Sequence, residues 1–225
     1  DNMEKKTRRP RADGSETRRK ILEAASRLVA RQGFERTASK DIAREAGVDL
    51  ASINYHFGSR KGLFEKALVE VHHELLRLDA LRELSESPLS PEEKLQHLIE
   101  YVIRASQGED GWKFQLLFRG LFENGELLAP LYLEEVGPKF ELLRGIVSGI
   151  SGIPEKDPAI AGCVFNTIAP LFTLLAFNGK TSPVNDFLAG RNPQEAARAI
   201  SSFVTSGLKA AGAAYRAAPA PGIRA

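Results

Sequence analysis

GFERTASKDIAREAGVDLASINYHFGSRKGLF, residues 33–64, decides how this chain is read. Gly33 closes a preceding helix in the left-handed conformation, and Phe34 packs back on it. Thr37 or Ser39 can cap the short helix that follows, with Asp41 at its positive end and Ile42, Ala43 and Ala46 inward. Gly47 stops it after about two turns. Asp49 can cap a second short helix carrying Ile53 and Phe57 inward. Two short helices joined by a glycine turn, with small Ala43 at their closest approach, are the sequence signs of a helix-turn-helix. Gly58-Ser59 breaks the second helix, and Ser59 can cap the next.

The exposed face of the second helix then offers Leu50, Ala51, Ser52, Asn54, Tyr55 and His56. These side chains are short or planar, most with hydrogen-bonding tips, and suit a DNA major groove. Arg60 and Lys61 fall on the first turn of the following helix, where cations are locally unfavourable unless an anion is the partner. The stretch is therefore expected to face a nucleic-acid backbone. Taken singly, Tyr55 and Phe57 also fit a core and His56 a bare surface; the combination carries the reading.

Charge distribution agrees. Residues 1–66 hold 16 Lys and Arg against 10 Asp and Glu, whereas the remainder holds 15 against 19. A basic head on an acidic body suggests polyanion binding at one end and another task at the other. Hydrophobic residues make up 43% and charged residues 27%, the balance of a globular protein. No apolar run approaches the ~20 residues that span a bilayer, and the basic start lacks the apolar stretch of a secretory signal. With Cys163 alone, no disulfide forms within the chain, which fits a reducing cytosol.

The periodicity predicts an all-α protein: a flexible basic arm over 1–14, a DNA-binding head over 15–62, a larger helical domain over 63–215 and a disordered tail over 216–225. Ile21, Leu22, Ala25, Leu28 and Val29 form the stripe of the first helix. A long helix is expected from about 60 to 84, then helices beginning at Pro91, over 110–123, over 126–150 with a kink at Gly137-Pro138, over 159–177 and over 193–215. The segment 159–177 is apolar on almost every face, so it is expected to be buried all round, with a kink at Pro170.

At this point the residues resemble the tetracycline-repressor-like (TetR) family of transcriptional regulators. GFERTASKDIAREAGV is similar to its first helix-turn-helix half, and SINYHFGSRKGLF to its recognition helix and the start of its fourth helix. The resemblance spans about residues 17–68. It implies a helical homodimer that binds a palindromic double-stranded DNA operator and is released by a small-molecule effector, most often as a repressor. By position, Ser39, Lys40, Leu50, Ala51, Ser52, Asn54, Tyr55 and His56 approach bases or backbone, and Arg60 and Lys61 phosphate. Asn54 replaces a tyrosine common in the family, Arg60 a lysine and Lys61 an acid, so base preference and phosphate grip are expected to differ. A bacterial cytoplasmic, nucleoid-associated location follows from the same resemblance.

For the body, Trp112, Phe118, Phe122, Phe165 and Phe172 are candidates to line a largely apolar effector pocket, though each also fits a plain core. Ile200, Val204 and Leu208 recur at helical spacing as a candidate dimer face. His72-His73 between Glu70 and Glu74 invites a metal, but adjacent helical residues diverge by about 100°, which favours a solvated face and no metal. No nucleophile with a partner and no dinucleotide fingerprint stands out, so neither an enzyme nor a cofactor is expected. A sequence-blind DNA protein is the other reading, distinguished by uniform affinity across DNA sequences.

Overall fold

The computed structural model describes residues 12–123, 125–177, 186–188 and 191–217. Most of the expected arm and tail lies outside these. Every regular element among the described residues is helical. The head comprises α1 (Ala12–Gln32), α2 (Ser39–Ala46) and α3 (Leu50–Phe57), packed on the start of α4 (Arg60–Leu75). The expected division at 62/63 falls inside α4. Ile21, Ala25, Val29, Phe34, Ile42, Ile53, Leu63 and Phe64 form its buried core.

The helix expected over 60–84 is two helices, α4 and α5 (Leu78–Glu86). Leu76 leaves helical geometry at φ −130° and ψ 78°. The apolar stripe runs on across the break, which is why periodicity missed it. At the break the Tyr101 hydroxyl donates to the Leu75 carbonyl at 2.6 Å, satisfying one of the acceptors a helix end leaves free. α6 (Pro91–Gln107) starts as expected, reinforced by a reciprocal cap between Ser90 and Glu93.

α7 (Gly111–Glu123) follows and lies along both α1 and α4. After a 3-10 turn at Gly125–Leu127 come α8 (Leu128–Leu131), a π-helical turn at Tyr132–Val136 and α9 (Gly137–Ser151). The distortion expected at Gly137-Pro138 is this π turn. Pro138 has no N–H to offer the Glu134 carbonyl, and the Gly137 N–H bonds back to Tyr132. α10 (Ala159–Phe177) keeps helical structure through Pro170, and α11 (Pro193–Ala217) completes the body against α6 and α9.

Candidate nucleic-acid interface

Gly47 makes the turn between α2 and α3. It adopts φ 66°, a conformation costly for any residue with a Cβ, and its N–H closes on the Ala43 and Arg44 carbonyls. Neither expected cap on α2 forms. The capping position is Ala38, and buried Thr37 instead donates its hydroxyl to the Gly33 carbonyl at 2.7 Å, holding the α1–α2 corner. Asp49 occupies the cap position of α3 but its side chain accepts no capping bond. Ser59 does cap α4, accepting from the Gly62 N–H at 3.0 Å.

α3 is fixed by its inner face. Ile53 is fully buried and Phe57 half-buried, with the Arg18 guanidinium 5.4 Å from the Phe57 ring centre. Its C-terminus touches α4 closely: a Cβ on Gly62 would stand 2.5 Å from the Phe57 carbonyl oxygen. Only glycine permits that approach, so Gly62 sets how near α3 lies to α4.

The outer face of α3 is open. Tyr55 is 85% exposed and Leu50 51%. Ala51 and Asn54 are exposed, Ser52 and His56 half-buried. Tyr55 and His56 meet edge to face at 5.0 Å between ring centres. On α2, Lys40 is exposed and Ser39 half-buried. The outer face of α3 and the start of α2 are therefore open to solvent. An open cleft beside the start of α3 adds Thr17 and Arg44 to this surface, together with Gly47, Val48, Asp49 and Ser52. Sequence reading missed Thr17 because only the packing of α1 against α3 brings it there.

The two cations at the start of α4 part company. Lys61 is exposed, its ammonium 3.6 Å from exposed Glu126. Arg60 turns inward instead, donating to the Phe34 carbonyl with its guanidinium 5.2 Å from the Phe64 ring centre. The expectation that both point outward is corrected: the Phe34 carbonyl and the face of the Phe64 ring compete with solvent for the arginine.

The body aromatics do not gather around one cavity. Phe165, 63% exposed, and Phe172 lie on an open face of α10, and Phe122 is also exposed. Half-buried Phe118 stacks on Phe122 at 4.4 Å between centres. Trp112 packs under the head, its ring 4.8 Å from the Arg27 guanidinium of α1. α10 is therefore not buried all round; Ala161, Gly162, Phe165, Asn166, Phe172 and Thr173 are exposed.

The residues expected at a dimer face point inward. Val204 and Leu208 are buried against their own chain and Ile200 is half-buried. What α11 leaves bare is Phe203, 78% exposed, beside Gly207. A groove of about 200 Å³ runs between α10 and α11, lined among others by Cys163, Asn166, Phe203 and Gly207.

His72 and His73 also differ from expectation. They do converge, both on Glu135, at 3.7 Å and 3.1 Å from their Nδ1 atoms. Only His73 is fully solvated; His72 is mostly covered, beside buried Lys139. The cation in the cluster is thus the lysine, and no group of metal-ligand type occurs among the described residues. Burial pushes the Cys163 thiol up, away from a reactive thiolate. No helix among the described residues is long and apolar enough to cross a membrane.

Residues 21–67 match the family described as bacterial regulatory proteins, tetR family. The regulator AcrR of Shigella flexneri is 33% identical over 126 residues, 55% of this chain and 56% of its own length. PksA of Bacillus subtilis is 31% identical over 91 residues, 40% and 43% of the two chains. TtgR of Pseudomonas putida is 38% identical over 65 residues, 29% and 31%. The chain thus spans about half or less of the length of these relatives. Among solved structures, PfmR of Thermus thermophilus superposes with a TM-score of 0.61 at 22% identity, covering 83% of this chain and 97% of that one. FadR of Bacillus subtilis, solved with stearoyl-CoA, gives 0.65 at 16%, covering 84% and 98%. These structures share the all-helical fold of both halves.

Proposed function

We propose that this chain, whose residues 21–67 match the tetR family of bacterial regulatory proteins, is a dimeric, sequence-specific DNA-binding repressor of that family, released by a small molecule. The observation that carries the reading is the open outer face of α3, held outward by buried Ile53 and by the close packing of Phe57 over Gly62. Ser39, Lys40, Leu50, Ala51, Ser52, Asn54, Tyr55 and His56 meet the major groove, with base edges read from α3. Lys40, Lys61 and Arg44 supply phosphate contacts.

One helix of eight residues reads too few base pairs to select a site alone. Two heads are needed, held about 34–36 Å apart to meet successive major grooves. The bare faces of α10 and α11 support a two-fold bundle of four helices, in which Phe165 and Phe203 of each chain cover the partner. Exposed rings on adjacent helices are what such an interface leaves uncovered in one chain.

Release requires a ligand that binds better to a state whose heads no longer fit. α7 offers a route besides α4: Trp112 touches Arg27 and Arg119 donates to the Ala30 carbonyl at 3.2 Å, both on α1. The stearoyl-CoA bound to FadR supports a small-molecule effector with a large apolar part. Footprinting on the DNA upstream of its own gene, with and without cell extract, tests the reading. A protected palindrome lost on adding extract supports it. Uniform coverage of all sequences would make this a sequence-blind DNA protein instead.

A further inference from the structure

We propose that Arg60 is a positioning residue of the head rather than one of its phosphate contacts. The inference rests on the DNA-binding reading above, but its evidence is internal to the head. Arg60 begins α4, where the free N–H groups and the helix dipole would welcome an anion. Its side chain does not go there. It donates to the carbonyl of Phe34, 26 residues earlier, at the corner where α1 ends and α2 has not begun. The Thr37 N–H donates to the same oxygen at 3.3 Å.

The guanidinium also lies over one ring of an aromatic pair. Phe34 and Phe64 are both buried and meet edge to face, 5.2 Å between centres with planes 75° apart. Arg60 lies 5.2 Å from the Phe64 centre. Backbone corner, ring pair and first turn of α4 are therefore joined through one side chain. α2 and α3 hang between that corner and that turn, so the clamp sets the pose of the reading helix. Its neighbour Lys61 remains exposed, with only a 3.6 Å pairing to exposed Glu126 to exchange for a phosphate.

The Nε atom pulls the other way. Arg60 Nε is buried with no acceptor, and an unmet donor on a charged group is costly. A phosphate could draw the side chain out to satisfy it. Doing so would uncover the Phe64 ring and strip the Phe34 carbonyl of a donor.

The test uses full-length wild type, Arg60→Met and Lys61→Met, titrated at several salt concentrations on the protein's own upstream DNA and on an unrelated fragment of equal length. For Lys61→Met the salt slope should fall by about 0.9 per half-site. Arg60→Met should keep the wild-type slope but lose roughly tenfold in the ratio of specific to non-specific affinity, the scale of one mismatched base pair. A slope reduced as for Lys61→Met, an unchanged ratio with both affinities lowered alike, or no change at all would each overturn the proposal. If wild type itself does not distinguish the fragments, the regulator reading has failed, and the clamp is judged separately. There, and wherever Arg60→Met does not fold, the Arg60 Nε–H resonance of wild type decides. Slow solvent exchange, kept when DNA is added, supports the clamp. Fast exchange in the free protein, or a through-hydrogen-bond coupling to phosphorus on DNA, contradicts it.

Discussion

His72 of α4 and Lys139 of α9 meet at 2.9 Å between Nδ1 and Nζ, in the interior of the body. The ammonium donates, so the imidazole accepts at Nδ1 and is neutral. Lys139 also donates to the His72 carbonyl at 3.2 Å and to Glu135. Burial first, then the lysine charge, pushes the His72 pKa down to about 4, against the pull of Glu135. Burial also opposes ionisation of Glu135, but Lys139 and His73 outweigh it and hold its carboxyl below the ordinary range. Burial lowers Lys139 as well, although Glu135 works to keep it charged.

Stability should therefore depend on pH through His72. The folded pKa lies below the ordinary 6.5, so the unfolded chain binds the proton first as pH falls. The His72 contribution is complete above about 6.5, declines between 6.5 and 4, and changes no further below, where the depressed Glu135 carboxyl takes over the loss. At about 1.4 kcal/mol per pKa unit the loss is on the order of 3 kcal/mol. Urea unfolding at pH 7 and pH 5 measures it, and His72→Asn should flatten the difference. An equal slope in wild type and variant would show that His72 is not the responsible group.

Asn54 is exposed on α3, and its amide can bond both N6 and N7 of adenine. Asn54→Ala should relax preference at one base pair of each half-site by about 1–3 kcal/mol and leave the others alone. Selection from a randomised site library reads this directly. A preference profile identical to wild type at every position would remove Asn54 from the reading set.

These two residues show where sequence suffices. The head was legible because its signals are local: a glycine turn, a capping serine and an alternation of Ile53 and Phe57 inward with Asn54 and Tyr55 outward. His72 was not, because its burial depends on Lys139, which lies 67 positions away and reaches it through the π turn. Arg60 was misread for the same reason, its partner Phe34 lying across the head. At the break after Leu75 the free carbonyl is met by Tyr101, 26 positions away. In the outer helices, apolar pattern alone could not say which face meets the chain's own core and which is left bare, so Val204 and Phe203 exchanged roles.

That exchange gives a third prediction. Phe203→Asp, on the exposed face of α11, should yield a folded monomer by sedimentation and abolish operator binding. Val204→Asp instead buries a charge in the chain's own core and should cost several kcal/mol of stability. A Phe203→Asp protein that stays dimeric would place the interface elsewhere.

Gly62→Ala tests the close approach of α3 to α4. The added methyl would collide with the Phe57 carbonyl, which is backbone and cannot step aside. The helices must separate, tilting the reading face, so operator affinity should fall at least about tenfold while unrelated DNA binds as before. Unchanged operator affinity would mean that α3 tolerates a shift at this contact.

Above all, the outer face of α3 should read a specific palindrome as part of a dimer. The most direct measurement is titration of purified protein against its own upstream DNA with the stoichiometry counted, alongside a scrambled fragment. Two chains should bind per palindromic site, with an affinity at least about 10³-fold above the scrambled fragment at physiological salt. Equal affinity for both fragments, or saturation by one chain per site, would contradict it.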